Sequence, residues 1–196
     1  MGIVASLVGH QDLPDSIYID NGTGAGRKLL QPSMCELNSD EREAIIGFHS
    51  FTGNDYVESF FRKGKKTCWK VARRNKDFMK FFSKLGSAGD ITNELLSSAE
   101  EYVCALYGKP KIKIVNEARA KIFWDKYKKS KKVTELCLLP PCQNNLRYHL
   151  QRSNYVASLL RSTSLKTSVD ERRNTDGQIQ VNFSGVKSEA WYCKRL

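Results

Sequence analysis

The sequence predicts a mainly α-helical protein with a small β element in front. Three observations carry that expectation. From residue 38 onward, apolar residues recur at helical spacing in several stretches, each bounded by a capping residue or a Gly/Pro break. Before that point, the clearest pattern is a pair of short β-rich runs flanking a glycine-rich turn. The chain has 196 residues, 40% hydrophobic and 27% charged, which suits one packed domain and is too short for two full-sized ones. No apolar run approaches the roughly 18 residues of a membrane helix, so none is expected, nor is a membrane partner.

The elements follow in chain order. Ile3-Val4-Ala5-Ser6-Leu7-Val8 reads as a buried strand or its remnant. Ile17-Tyr18-Ile19 and residues 27–31 form a hairpin across Asn21-Gly22-Thr23-Gly24-Ala25-Gly26. The glycine spacing invites a phosphate-loop reading, yet no helix opens directly after it and no Gly-Lys-Ser/Thr follows, so a flexible turn is preferred. Asn38 or Ser39 caps the first helix, with Asp40, Glu41 and Glu43 where the helix dipole favours acid, and Ala44, Ile45, Phe48 and Phe51 form its apolar stripe. Thr52-Gly53-Asn54-Asp55 ends that helix, and a short one is expected through Phe61. Lys63-Gly64-Lys65-Lys66 is a second break. Thr67 then caps a helix to about Arg73, and another covers 77–84. A longer helix spans 92–107, stopped by Gly108-Lys109-Pro110. An amphipathic helix over 115–127 runs into a lysine-rich stretch over 126–132, Pro140-Pro141 interrupts, and a last helix spans 145–160. Residues 163–177 are polar and read as a linker; 178–183 alternate like a strand. The organisation expected is a residual β element over 1–37, a helical region over 38–161, and a linker with a short C-terminal segment over 162–196.

The net charge is +11, from 32 Lys and Arg against 21 Asp and Glu. It is unevenly placed: residues 1–61 carry three basic and nine acidic side chains, and the rest carries 29 and 12. The excess points to a polyanionic partner, nucleic acid before a membrane surface. The six cysteines read as reduced, mostly buried thiols of an intracellular protein. Cys137 and Cys142, with His149 and Cys104, lack the paired spacing of a zinc site. His49 reads as a packing histidine. Tyr56, Trp69, Phe81 and Phe82 can stack on bases, but helical spacing suits a core better.

Residues 48–85 are the informative stretch. A carboxylate, Asp55, stands at a helix break, and about ten residues later a glycine turn opens a helix dense in cations. Such a helix start offers free backbone N–H groups and a dipole that favours phosphate. Lys65, Lys66, Lys70, Arg73 and Arg74 add charge there.

Gly53-Asn54-Asp55-Tyr56 followed by Phe60-Phe61-Arg62-Lys63-Gly64-Lys65-Lys66-Thr67-Cys68-Trp69-Lys70 resembles the flap-endonuclease/XPG branch of the PIN-like nucleases. The run Phe48-His49-Ser50-Phe51-Thr52-Gly53-Asn54-Asp55 is more specifically similar to a group of animal PIN-like proteins regarded as transposon-associated. So are Glu101-Tyr102-Val103-Cys104-Ala105-Leu106-Tyr107-Gly108, Leu138-Leu139-Pro140-Pro141-Cys142, the hairpin over 17–30 and Asp176-Gly177-Gln178-Ile179. The resemblance covers most of residues 17–193. It implies a partial PIN-like α/β domain with a helix–two-turn–helix region. It also implies a DNA partner, more than RNA, and a nuclear location. Asp55 matches a metal-binding aspartate, and Gly64, Lys65, Lys66 and Thr67 match a turn that grips a DNA phosphate, with K⁺ held in some members by backbone carbonyls. The implied chemistry is phosphodiester hydrolysis assisted by two Mg²⁺ or Mn²⁺ ions.

The chain departs from that pattern upstream of Asp55. The family places an Asp-x-Asp type pair at a strand end; here no acidic pair follows the 3–8 run, and Asp12, Asp15 and Asp20 lie in or beside turns at the wrong spacing. One carboxylate cannot hold two Mg²⁺ ions. The expectation is a DNA-gripping half, truncated at its N-terminus, with catalysis impaired. The alternatives are an active nuclease completed by a partner chain, or a helical protein-interaction module.

Overall fold

The computed structural model describes residues 8–9, 18–21, 24–87, 89–130, 135–162 and 180–181. Strands β1 (Tyr18–Asn21) and β2 (Lys28–Leu30) pair antiparallel, with Ile19 opposite Leu30 and Asp20 opposite Leu29. This is the expected hairpin, tied across its turn by an Arg27–Asp20 ion pair. β3 (Gln180–Val181) runs parallel to β1 on its other edge. Apart from Val8, which is buried, the 3–8 run lies outside the described residues, as does the 163–177 linker.

Six helices make up most of the rest: α1 (Ser39–Phe51), α2 (Lys65–Ala72), α3 (Lys76–Lys84), α4 (Asn93–Leu106), α5 (Val115–Ser130) and α6 (Gln143–Ser162). Their starts follow capping chemistry. Asn38 Oδ1 accepts the Glu41 N–H at 2.9 Å while Glu41 Oε2 accepts the Asn38 N–H at 3.2 Å, a reciprocal capping box. Asn75 Oδ1 accepts the Asp77 N–H at 2.9 Å, and Thr92 Oγ1 accepts the Leu95 N–H at 3.2 Å. The Val115 N–H at the head of α5 finds the buried Glu100 carboxylate at 3.1 Å.

Two expectations are corrected. Helix α2 begins at Lys65 with Gly64 as its N-cap, three residues before the expected Thr67 cap, and Thr67 lies inside the first turn. The short helix through Phe61 is not formed, so the first helix of a helix–two-turn–helix is missing. The Asn54 N–H donates to the Val57 carbonyl at 2.8 Å, while Asn54 Oδ1 accepts the N–H groups of Tyr56 and Val57. That closed turn reverses the chain just after Gly53, whose φ is +107°. Val57 and Phe60 still bury themselves, as loop anchors rather than as a helix face.

The core is aromatic and centred on α1. Every residue from Ala44 to Phe51 is buried, so this C-terminal part of α1 is covered on all sides rather than along one stripe. Phe48 meets Trp69 edge-on at 4.6 Å and Phe82 at 5.4 Å, and Tyr102 meets Phe82 at 4.9 Å. The Tyr102 hydroxyl donates to the Cys68 carbonyl at 3.1 Å, pinning α4 to α2. Helix α1 packs against α3 and α6, and α4 touches α2, α3, α5 and α6. The approach of α1 to α3 depends on Gly47: a Cβ there would lie 2.0 Å from the Phe82 carbonyl oxygen. Arg161 closes the far end of α6 by donating to the carbonyls of Leu85 at 2.8 Å, Ser83 at 2.9 Å and Glu43 at 3.1 Å.

A Gly47→Ala variant must push α1 off α3 and should lose about 3 kcal/mol or more in urea denaturation. Gly26→Ala, where a Cβ meets nothing within 4 Å, should stay within about 0.5 kcal/mol of the parent.

Candidate nucleic-acid interface

The buried end of α1 determines what lies above it. The last four carbonyls of a helix have no partner within it. Here each receives a donor. The Thr52 N–H and hydroxyl donate to Phe48 O at 3.0 and 2.7 Å. Lys65 Nζ donates to His49 O at 3.1 Å, Asn54 Nδ2 to Ser50 O at 3.3 Å, and His149 Nε2 meets Phe51 O at 2.8 Å. A carbonyl only accepts, so His149 carries its proton on Nε2.

Lys65 is therefore not an outward phosphate-gripping cation. Its ammonium turns inward, also donating to Thr52 Oγ1 at 3.0 Å and lying 5.9 Å from the centre of the Phe48 ring. A cation at a helix C-terminus is favourably placed against the dipole. Burial nevertheless lowers its pKa to about 8. The backbone N–H groups of Lys65 and Lys66 have no acceptor among the described residues.

The outer face of α2 keeps most of the expected cations. Lys66 and Lys70, with Arg74 just past the helix, follow at four-residue spacing, opposite the buried Cys68, Trp69 and Ala72. All three are exposed and have no ion-pair partner among the described residues. Thr67 is exposed beside them. Arg73 is instead held at 2.6 Å by the buried carboxylate of Glu41, which also serves the α1 capping box. Of the turn's carbonyls, Phe60 O, Lys63 O and Gly64 O already accept hydrogen bonds. Nothing in that geometry singles out a K⁺ site.

Asp55 sits exposed at the tip of the Asn54–Val57 turn. Among the described residues no group of three or more His, Cys, Asp or Glu side chains could hold a metal ion. Asp55 by itself does not fit a two-ion centre, and no catalytic step is derived through one. Cys68 and Cys104 are buried free thiols, Cys142 is half-buried and Cys137 is exposed. Cys35 is disulfide-bonded, so the expectation of six reduced thiols is corrected. His49, Trp69, Phe81 and Phe82 are core residues, whereas Tyr56 is exposed. No helix among the described residues is long and apolar enough to cross a membrane.

Compared with protein-family models, with curated proteins and with solved structures, the chain matches none.

The cap carries a pH signature. His49 is buried, its Nδ1 has no partner among the described residues, and burial, followed by the charge of Lys65, lowers its pKa to about 3. Burial also lowers that of His149. A base with a depressed folded pKa binds its proton more readily in the unfolded chain, so stability is present above about pH 6.5 and is lost on acidification below it. The unfolding free energy from urea denaturation should fall between pH 6.5 and 4.5, with a slope approaching about 1.4 kcal/mol per pH unit for each proton taken up. His49→Leu should flatten that slope. For Lys65 the unfolded chain holds the extra proton between about pH 8 and its ordinary 10.5, so its contribution rises with pH across that window.

Proposed function

We propose that this chain binds nucleic acid, DNA first, through the outer face of α2, and that it belongs with the flap-endonuclease-like PIN proteins as a member impaired in catalysis. The observation that carries the binding reading is the exposed row Lys66, Lys70 and Arg74, rising from a glycine-capped helix start with two backbone N–H groups that have no acceptor among the described residues. A phosphate at that start meets N–H donors and the positive dipole end, and the row supplies further cations along the strand. The net charge of +11 supports the same reading. The impaired-catalysis part is supported by the isolation of Asp55 on its turn. A nuclear location goes with this reading.

Affinity for duplex DNA should fall steeply with salt, and replacing Lys66 and Lys70 together by Ala should reduce the slope of log K against log salt by about 2. Lys128→Ala with Lys129→Ala should leave the slope closer to that of the parent; equal effects from the two pairs would replace a site by a diffuse patch. Labelled flap DNA incubated with Mg²⁺ or Mn²⁺ should remain intact. Cleavage that Asp55→Ala abolishes would establish an active nuclease instead.

A further inference from the structure

A second surface lies on the other side of the loop that leads into α2. Residues 57–61, the segment around Pro140 and Pro141 and one side of α6 enclose a groove of about 490 Å³. Two rings on its lining stay open to solvent: Phe61 is 45% exposed and Tyr148 69%. On α6, Tyr148, Arg152, Tyr155 and Leu159 stand at spacings of four, three and four, a single helix face turned away from the core. Tyr155 is 64% exposed, so the row of rings continues beyond the groove. The face that α6 gives to the core is a different one, built on Leu146, Leu150, Ser153 and Ala157.

The charges around these rings are mostly positive. Helix α6 contains no Asp or Glu, and Arg152 lines the groove with Arg119. Arg119 spends one arm on the Pro140 carbonyl, whereas Arg152 is exposed. Next in sequence to Phe61, Arg62 has a backbone φ of +56°, and its guanidinium lies 5.2 Å from the centre of the Phe61 ring. Glu58 is the one acidic residue on the described lining.

We infer that this groove and the outer face of α6 bind single-stranded nucleic acid, with unpaired bases on Phe61, Tyr148 and Tyr155 and phosphates on Arg62 and Arg152. Single strands alternate a flat apolar base with a negative phosphate, and the surface alternates exposed rings with guanidinium groups. Duplex DNA hides its base faces and has no use for the rings. An acidic peptide would satisfy the arginines but leave the row of open rings unexplained. The inference rests on the nucleic-acid reading above for its ligand class, but on a separate set of residues.

The test is fluorescence anisotropy with labelled oligo(dT) of 15 nucleotides and, separately, a labelled duplex. Tyr148→Ala and Phe61→Ala should each weaken oligo(dT) binding about 5- to 150-fold, the range for loss of a base–aromatic stack, and leave duplex binding unchanged. Tyr148→Phe, which keeps the ring, should retain parent affinity. Because both positions are exposed, an unchanged circular dichroism spectrum is expected for all three variants. Duplex binding without oligo(dT) binding, or oligo(dT) binding insensitive to Tyr148→Ala and Phe61→Ala, would overturn the inference while leaving the α2 reading intact. Oligo(dT) binding lost in these variants with no duplex binding at all would sustain the groove and remove the α2 site. Displacement of oligo(dT) by poly-glutamate as effectively as by unlabelled oligo(dT) would make the groove a general acidic-chain site and overturn it.

Discussion

The buried C-terminus of α1 is the constraint on which the arrangement depends. A helix end covered on every side cannot leave its last carbonyls to water, and an unpaired buried carbonyl costs about 1–3 kcal/mol. The four donors come from separate places in the chain: Thr52 and Asn54 from the adjoining loop, Lys65 from the head of α2, and His149 from α6. Each donor brings its own element with it. The loop turns back on Asn54, α2 starts where Lys65 can reach inward, and α6 crosses where its imidazole meets Phe51. The cap therefore works as an organising contact, fixing three segments through four carbonyls.

This arrangement also separates two roles that adjoining lysines share in the sequence. Lys65 and Lys66 are neighbours, yet successive residues of a helix point about 100° apart. One lysine serves the α1 dipole and the other faces solvent. Arg73 and Arg74 divide in the same way, the first held by Glu41 and the second open. The electropositive face is thus narrower than the composition implies and has a defined direction along α2.

Much of the fold was legible because local chemistry and tertiary packing agree. Asn38, Thr92 and the glycine turn after Leu106 mark helix ends by their own hydrogen bonding, and the β-rich runs beside residues 21–26 mark the hairpin. The loop over 52–64 mimics a helix in the sequence because Val57 and Phe60 have helical spacing, while the Asn54 side chain and the positive φ of Gly53 favour a closed turn. The destination of Lys65 was hidden for a different reason: its partners, His49 and Thr52, lie on another helix end, and a lysine run gives no sign of which ammonium is needed inside. The rings of α6 carry no separate signal in the sequence, because Tyr148, Tyr155 and Leu159 have the same periodicity as a core stripe. Only the packing of Leu146, Leu150 and Ala157 against the neighbouring helices shows which stripe is the inner one.

Arg161 has a consequence for how the molecule is divided. Composition changes just after it, so a boundary drawn from sequence alone falls at that residue. Its guanidinium nevertheless joins the end of α6 to the end of α3 and to a carbonyl of α1. The smallest autonomous folding unit must therefore retain the last turn of α6, and a cut one residue earlier would leave three carbonyls without their shared donor. The end of α6 acts as a clasp, and whatever follows residue 162 leaves from a fixed point on the helical body.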